Sequence, residues 1–245
     1  MKLFASGCSF TWGGELIKTL HDEHGSLLDE HNQSDINKHR LNITWPKHLS
    51  DKLGCTEFHN HSMGCGSNAR IVRKTLDFFV PKALTGEDMS DWTVAIQWSE
   101  PSRFEFFDNN TNDWAVAKHD VVIFRSADRE LSDTEQEDII RTHYAYSTDV
   151  AVGQQFFTQI SALGNFFKAH GIKYVFTMIH EGFTNPLSES QLRYSNTNFN
   201  WYNNDIMQCS IDKMKVEPCE KSPHPSELGH KQIAENLSRF LSAQN

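Results

Sequence analysis

Residues 3–13 read LFASGCSFTWG, a short apolar strand that breaks into a turn of small residues with Ser9 at its mouth. Near the other end, residues 222–237 read SPHPSELGHKQIAENL, which places His224 directly before an amphipathic helix. A serine on a sharp strand-to-helix turn and a histidine at a helix start are the two halves of a nucleophile–base pair. Because nearly the whole chain lies between them, only the fold can bring them together.

Strand and helix patterns alternate along the rest of the chain. Apolar runs bounded by turn residues predict strands, and apolar residues at helical spacing predict helices. After the first strand, the predicted strands lie at 56–60, 93–98, 173–179 and 206–210, and the predicted helices at 44–54, 68–79, 132–141, 149–170 and 226–241. Residues 103–117 predict a β-hairpin, whereas 14–43 and 182–205 are polar and predict a surface insertion and a loop.

This alternation is typical of α/β proteins. It predicts a three-layer α/β/α sandwich with a central parallel sheet of about five strands, decorated by the β-hairpin insertion. Parallel sheets of this kind carry their working site at the carboxyl ends of the strands. Ser9, the turn at 64–68 and the segment after Trp98 all follow predicted strands, so we expect one site there.

The composition is that of an ordinary folded domain. With 245 residues, 38% of them hydrophobic, the chain is expected to form a single domain, 1–245, with a sizeable core. The net charge is −9 and no basic stripe is visible. That balance argues against a nucleic-acid partner.

The cysteine content and the hydropathy of the chain limit where in the cell it is expected to be found. The five cysteines lack CxxC spacing, which favours a reduced, intracellular environment. No apolar run approaches the roughly 18 residues of a membrane span, and too few apolar residues precede the ASGC at 5–8 for a signal peptide. We therefore expect a cytoplasmic protein without a membrane span.

Four segments resemble the conserved blocks of the SGNH/GDSL hydrolase family. GCSFTWG around Ser9 resembles the first block, whose usual core is Gly-Asp-Ser, with Cys8 where the family has Asp. NHSMGCGSN from Asn60 resembles the second block, TVAIQWSEPSR from Thr93 stands where the third belongs, and HPSELGH from His224 resembles the last. The segments follow the family's order and span most of the chain. The resemblance implies a divergent member with the flavodoxin-like SGNH fold, similar in style to SGNH-like proteins carried by bacteria and their phages.

The residues and the resemblance assign Ser9 as nucleophile and His224 as general base. A serine hydroxyl is barely ionised near neutral pH, so it needs a base. His224 precedes a helix whose N-terminal dipole disfavours added positive charge, which favours the neutral imidazole that a base requires. Pro225 stiffens the approach to that helix, and Ser226 is a candidate cap.

The acid that orients the histidine is where the chain departs most from the family. The family has Asp three positions before the histidine, and Lys221 stands there here. Glu220, next door, is the predicted replacement, with Glu217 and Asp212 as weaker candidates. A backbone carbonyl could also orient the imidazole and leave a Ser–His dyad, because groups other than an acid can fix the tautomer.

The resemblance also implies donors for a developing oxyanion. The Ser9 N–H is one candidate, and the N–H of Gly64 or Gly66 is the second. The family's third donor, an Asn of the third block, has no counterpart here, so Ser99 or Asn68 is expected to replace it. The alternative for 64–68, without a catalytic role, is a tight turn followed by a helix cap.

Side chains expected above the site are polar and aromatic. Arg103 and Glu105 are the polar candidates, although a hairpin salt bridge with no role in substrate binding is the preferred explanation for them. Trp12 and Trp98 suit an aromatic wall for a sugar or acyl group, with core packing as the alternative.

Metal and cofactor sites are not predicted. HDEH at 21–24 has ligand types at helical spacing, and His59 and His61 alternate about the end of a strand, but neither matches a zinc signature. His230, six positions after His224, is predicted to lie inside the last helix as a structural residue. No dinucleotide or phosphate-binding fingerprint is present.

The predicted function is therefore ester hydrolysis through a Ser9 acyl-enzyme. By family analogy the substrate is an O-acyl ester, such as acetyl on a carbohydrate, or a small lipid or acyl ester. Two alternatives stay open: an O-acyltransferase that uses the same pair, and a non-catalytic scaffold that binds a glycan or protein. The missing third-block Asn, Lys221 and Cys8 motivate the scaffold.

Overall fold

The computed structural model describes residues 1–14, 16, 39–109, 112–118, 121–123, 132–220 and 222–244. The strands are β1 (Lys2–Ser6), β2 (Glu57–Asn60), β3 (Trp92–Trp98), β4 (Phe104–Asp108), β5 (Asp113–Lys118), β6 (Val121–Ile123), β7 (Lys173–Met178), β8 (Pro218–Cys219) and β9 (Ser222–Pro225). The α-helices are α1 (Ser9–Trp12), α2 (Trp45–Lys52), α3 (Asn68–Leu84), α4 (Asp133–Tyr146), α5 (Asp149–Ala169), α6 (Glu189–Asn198), α7 (Ile211–Met214) and α8 (Glu227–Ser242).

The central sheet has four parallel strands in the order β2-β1-β3-β7. The predicted parallel α/β architecture is therefore confirmed, with four strands rather than about five. The strand predicted at 206–210 is reduced to a single bridge between Ser210 and Met178. A second bridge joins Trp201 to Phe176. Between these two points the chain forms turns, so no continuous ladder extends along the edge of β7.

Helices cover both faces of the sheet because successive strand residues point to opposite sides. One face buries Phe4, Val94, Ile96, Tyr174 and Phe176 against Ile71, Phe79, Phe156, Ile160, Leu163 and Phe167 of α3 and α5. The other buries Leu3, Ala5, Ala95 and Val175 against Trp45, Leu49, Ile233, Ala234 and Leu237 of α2 and α8. Each fully buried Val, Leu, Ile or Phe side chain among them contributes about 1.5–3 kcal/mol by leaving water. The result is the predicted three-layer sandwich.

The decoration of the core is partly as predicted. The hairpin is confirmed as β4 paired antiparallel with β5, and β6 adds a third strand. The prediction of a loop at 182–205 is wrong, because this segment contains α6. A capping box between Ser188 and Gln191 stabilises the first turn of that helix. Leu228 of α8 is 50% exposed, whereas Ile233 and Leu237 of the same helix are buried. Most of the insertion predicted at 14–43 lies outside the described residues.

The carboxyl ends of the strands meet at one edge of the sheet. Ser9 follows β1 across a short turn, Asn68 follows β2, and Ser99 follows β3 directly. His180 comes two residues after β7. The short hairpin of β8 and β9, next to α8, brings His224 to α1 at the same edge. This edge therefore collects the predicted site residues.

Candidate functional site

The turn that carries Ser9 is set by close packing. Ser9 is the first residue of α1, and Cys8 is its N-cap in an extended conformation. A Cβ at Gly7 would overlap the Thr11 side chain and lie 3.2 Å from the Gln97 carbonyl oxygen, so only glycine fits. The Thr11 hydroxyl donates to Gln97 Oε1 at 2.8 Å and ties the turn to β3. The serine is thus held at the strand end by buried contacts on both sides.

The predicted pair of Ser9 and His224 is assembled. Ser9 Oγ lies 2.8 Å from His224 Nε2, although 215 positions separate the two residues. Both side chains are half-buried. This distance is that of a hydrogen bond between a nucleophile and a base.

A serine, not Glu220, lies at the other ring nitrogen of His224. Ser222 Oγ is 2.7 Å from Nδ1 and also accepts the His224 backbone N–H at 3.2 Å. Residues two apart on a strand point to the same side, which is why the hydroxyl reaches the ring. Glu220, predicted for this place, is exposed in the turn between β8 and β9.

The start of α8 holds the hairpin that carries His224. The Ser226 N–H donates to the Glu217 carbonyl at 2.9 Å, and the Ser226 hydroxyl accepts the Gly229 N–H at 3.1 Å as the predicted N-cap. A Cβ at Gly229 would collide with the Glu217 carbonyl oxygen, so the helix packs against the hairpin without a side chain between them. The Phe10 ring lies 4.3 Å from the His224 ring and supports it from the α1 side.

A second histidine with an acidic partner lies beside this pair. His180 Nδ1 is 3.0 Å and 3.2 Å from the two carboxylate oxygens of Asp212, in α7. Phe10 also contacts His180, with ring centroids 5.6 Å apart, and so contacts both imidazoles. Sequence reasoning missed His180. Its signal was its place just after a predicted strand.

The two glycines in the turn after β2 differ in whether their backbone N–H already makes a hydrogen bond. The Gly66 N–H donates to the Met63 carbonyl at 3.1 Å and closes the turn, in which Cys65 has a φ of 57°. The Gly64 N–H makes no hydrogen bond with any of the described residues. A Cβ at Gly64 would lie 3.3 Å from the Trp12 ring, which places this peptide next to α1. Of the two glycines, Gly64 keeps the available donor.

Asn68 and Ser99 hold each other. The Ser99 N–H donates to Asn68 Oδ1 at 2.7 Å, and Asn68 Nδ2 donates to the Ser99 carbonyl at 3.0 Å. Ser67 caps α3 by accepting the Arg70 N–H at 3.1 Å. The Ser99 hydroxyl is buried and has no hydrogen-bond partner among the described residues. The segment around Asn68 is thus a turn followed by a capped helix, the alternative without a catalytic role. The Asn68 side-chain amide holds the end of β3.

Arg103 pairs within its own loop. Its Nε donates to Glu100 at 3.3 Å. The hairpin salt bridge considered between Arg103 and Glu105 is wrong, because Glu105 accepts from Arg73 Nε at 3.0 Å. Because Arg103 directly precedes β4 and its side chain binds Glu100, it stabilises the loop between β3 and β4.

The two tryptophans divide between core and site. Trp98 is fully buried and packs edge-on against Phe156 and Phe176, so the core alternative holds for it. Trp12 stands on α1 three residues after Ser9 and is half-buried. Trp12 therefore keeps an exposed part of its ring near Ser9, whereas Trp98 does not.

Other histidines near the sheet are structural. Burial lowers the pKa of His61 to about 4 and the pKa of His230 to about 3, so both are neutral near pH 7. His230 lies within α8 as predicted and accepts the Trp45 N–H at Nδ1, 3.0 Å away. His59 contacts Glu57 at 2.8 Å. The described part of the chain holds no group of three or more metal-ligating side chains, and the HDEH at 21–24 lies outside it.

Comparison with known proteins places the chain in a family. Residues 26–199, more than half of the chain, match the model of a family of unknown function, DUF6071, and the chain belongs to that family. No curated protein sequence matches it. In the residues that the structure covers, no helix has both the length and the apolar content to cross a membrane.

Two solved structures are similar along nearly the whole chain. The psychrotrophic esterase EstA from Pseudoalteromonas sp., in a structure inhibited by monoethylphosphonate, is 10% identical, with 99% of this chain and 97% of that chain covered and a TM-score of 0.46. A protein from Slackia heliotrinireducens described as a candidate SGNH hydrolase is 12% identical, with 98% of each chain covered and a TM-score of 0.46. Both likenesses are distant.

Proposed function

We propose that the chain is a serine hydrolase of the SGNH type that cleaves an ester through an acyl-enzyme on Ser9. The observation that carries the proposal is the 2.8 Å contact between Ser9 Oγ and His224 Nε2. A serine and a histidine so far apart in sequence have no local reason to meet. Their contact at the carboxyl edge of a parallel sheet supports a chemical role.

The first half of the reaction transfers a proton from Ser9 to His224. As Oγ attacks the ester carbonyl carbon, Nε2 takes the hydroxyl proton and the carbonyl oxygen becomes an oxyanion. The imidazolium then carries N–H groups at both nitrogens, and Ser222 Oγ accepts the one at Nδ1. When the intermediate collapses, Nε2 returns its proton to the leaving alcohol and the acyl group stays on Ser9.

The second half repeats the sequence with water. His224 takes a proton from water, which attacks the acyl-enzyme, and the collapse of the second intermediate releases the carboxylic acid and restores the Ser9 hydroxyl. A sugar hydroxyl in place of water would instead give the ester of that sugar, which is the O-acyltransferase alternative.

Two backbone N–H groups are proposed to stabilise the oxyanion. As the first residue of α1, Ser9 has no helical acceptor for its N–H, and the Cys8 side chain does not cap the helix. The Gly64 N–H, likewise free among the described residues, is the second donor. Asn68, committed to the backbone of Ser99, positions β3 instead. Each well-aimed donor contributes about 2.7–4 kcal/mol to lowering the barrier.

The proposed substrate class is an O-acyl ester with a small acyl group, such as acetyl on a carbohydrate. The family analogy supplies this class, and the Trp12 ring beside Gly64 supports it, since an aromatic ring suits a sugar or an acyl chain. No cofactor takes part in the proposed steps.

Labelling with a fluorophosphonate probe, followed by peptide mapping, tests the proposal. The probe reacts with an activated serine and needs no knowledge of the substrate. We expect label on Ser9 that is lost in Ser9→Ala and in His224→Ala, and retained in Ser190→Ala, which removes an exposed serine of α6. Folding of each variant is checked by circular dichroism. A folded wild-type protein without label would overturn the proposal and favour the binding scaffold.

A further inference from the structure

Arg40 is a buried cation beside the site that the proposed reaction does not use. It lies in the helical residues 39–43 and is only 4% exposed. Its Cζ atom lies 3.5 Å from the centre of the Trp12 ring. Its Nε and Nη1 atoms are buried and donate no hydrogen bond to any of the described residues.

The guanidinium remains charged in this position. Burial lowers the pKa of Arg40 to about 10, which still leaves it protonated near pH 7. A buried cation is unfavourable unless an opposite charge and acceptors compensate for its lost hydration. The Trp12 ring compensates in part through a cation–π contact. The N–H groups on Nε and Nη1 still lack acceptors among the described residues.

Arg70 is as deeply buried as Arg40, but its Nη1 donates to the His61 carbonyl at 2.8 Å. Other arginines of the described residues pair with carboxylates. Carboxylate partners are found for Arg73, Arg103, Arg141, Arg193 and Arg239. Arg40 differs from them because two of its three guanidinium nitrogens, Nε and Nη1, are buried without a hydrogen bond and no carboxylate of the described residues pairs with it. That combination points to a partner that arrives with a ligand.

The position of Trp12 connects Arg40 to the nucleophile. Trp12 and Ser9 are three residues apart on α1 and so share a face. A Cβ at Gly14 would lie 3.2 Å from Ser9 Cβ and 3.8 Å from the Trp12 ring, so these two side chains border one small space. The Gly64 peptide contacts the same ring. Arg40, stacked on Trp12, therefore lies within the reach of a small molecule bound at Ser9.

We propose that Arg40 binds an anionic group of the substrate, a carboxylate or a phosphate, so that the ester attacked by Ser9 belongs to an acidic molecule. The planar guanidinium fork matches the two oxygens of either group, and its charge balances theirs. As a statement about substrate this rests on the proposed function, whereas anion binding itself needs no chemistry at Ser9.

Thermal unfolding with simple anions tests the binding step. Inorganic phosphate and succinate are titrated separately at constant ionic strength, with chloride as the balancing salt. A ligand that binds the folded state raises Tm. We expect a rise with at least one of the two anions in the wild type and in Ser9→Ala, and the more effective anion identifies the group. The rise should be lost in Arg40→Gln and kept in Arg193→Gln, which removes the same charge from the surface.

Two results would overturn the inference: no rise with either anion in the wild type, or an equal rise in Arg40→Gln. If Arg40→Gln does not fold, Arg40→Lys serves instead, because it keeps the charge and loses the fork. We expect the apparent Kd of the anion to be at least about fivefold weaker in Arg40→Lys, and an unchanged Kd would contradict the proposal.

A pair of esters separates this inference from the proposed reaction. The ratio of kcat/KM for mono-p-nitrophenyl succinate over p-nitrophenyl acetate should fall at least about tenfold in Arg40→Gln and stay unchanged in Arg193→Gln. Anion binding without Ser9 labelling would refute only the hydrolase. Ser9 labelling without anion binding would refute only the role of Arg40.

Discussion

Two histidines flank the ring of Phe10, and their partners differ in kind. His224, on the hairpin of β8 and β9, contacts hydroxyls at both ring nitrogens. His180, after β7, has a carboxylate, that of Asp212, at Nδ1. A histidine oriented by a carboxylate is the usual form of a catalytic base, yet here that arrangement belongs to the histidine that does not reach the serine.

In the proposed reaction, the position of Ser9 decides which of the two histidines acts as the base. A carboxylate at Nδ1 stabilises the imidazolium and fixes the tautomer, whereas a hydroxyl fixes it only weakly because it can donate as well as accept. The hairpin nevertheless puts His224 against Ser9, and His180 is left 37% exposed in its side chain. The proposed assignment of His224 as the base therefore rests on its contact with Ser9 Oγ and not on an orienting carboxylate.

Replacing each histidine by alanine should break this comparison most strongly. We expect His224→Ala to lower the rate of Ser9 labelling and of p-nitrophenyl acetate hydrolysis by about 10³-fold or more, because the nucleophile loses its base. His180→Ala should change either rate less than about tenfold. Equal losses in the two variants would mean that His180 shares the work of the base.

A glycine follows each histidine closely in the sequence, Gly229 after His224 and Gly182 after His180. Replacing each glycine by alanine tests how tightly the segment near that histidine is packed. In Gly229→Ala the new Cβ meets the Glu217 carbonyl oxygen, so the hairpin must shift and we expect a loss of about 1–3 kcal/mol in the free energy of unfolding. In Gly182→Ala, next to His180, the new Cβ meets only Asn185 Nδ2 at 3.8 Å, and the loss should stay below about 0.5 kcal/mol.

Urea unfolding of the two glycine variants gives the comparison, with Ser9 labelling measured beside it. We expect slower labelling in Gly229→Ala alone, since only that change moves His224. A Gly229→Ala protein as stable and reactive as the wild type would show that the hairpin packs more loosely than described.

Changing Ser222 gives the smallest effect and sharpens the contrast in partners. Ser222→Ala removes the hydrogen bond at Nδ1, worth about 1 kcal/mol, so the labelling rate should fall roughly five- to tenfold. Ser222→Asp places a carboxylate there and should react faster than Ser222→Ala. Asp212→Asn, the matching change at His180, should leave the rate within about twofold. A rate unaffected by Ser222→Ala would remove Ser222 from the catalytic unit.

The fold was predictable where the sequence carries periodic or turn signals. The strand before Ser9 and the helix after His224 are bounded by small residues and a capping serine, and both lie where predicted. The order of strands and helices was enough to predict a parallel sheet and hence one shared edge. The pairing of Ser9 with His224 followed from the resemblance and from that edge.

What the sequence did not reveal depends on contacts between segments. Ser222 is one of many serines, and only the hairpin turns it toward His224. Asp212 was weighed as a partner of His224, but α7 places it at His180. The helix α6 was missed because its asparagines and serines are typical of loops, whereas its capping box and its packing onto α5 stabilise it.

The long separation of Ser9 and His224 in the sequence has a consequence during synthesis on the ribosome. A ribosome adding 5–20 residues per second would make the base on the order of ten to forty seconds after the serine, given the 215 positions between them. During that interval the nascent chain carries a serine with no base beside it. In the proposed mechanism, reactivity toward a phosphonate appears only after the hairpin of β8 and β9 docks beside α1, so the onset of labelling reports that docking step.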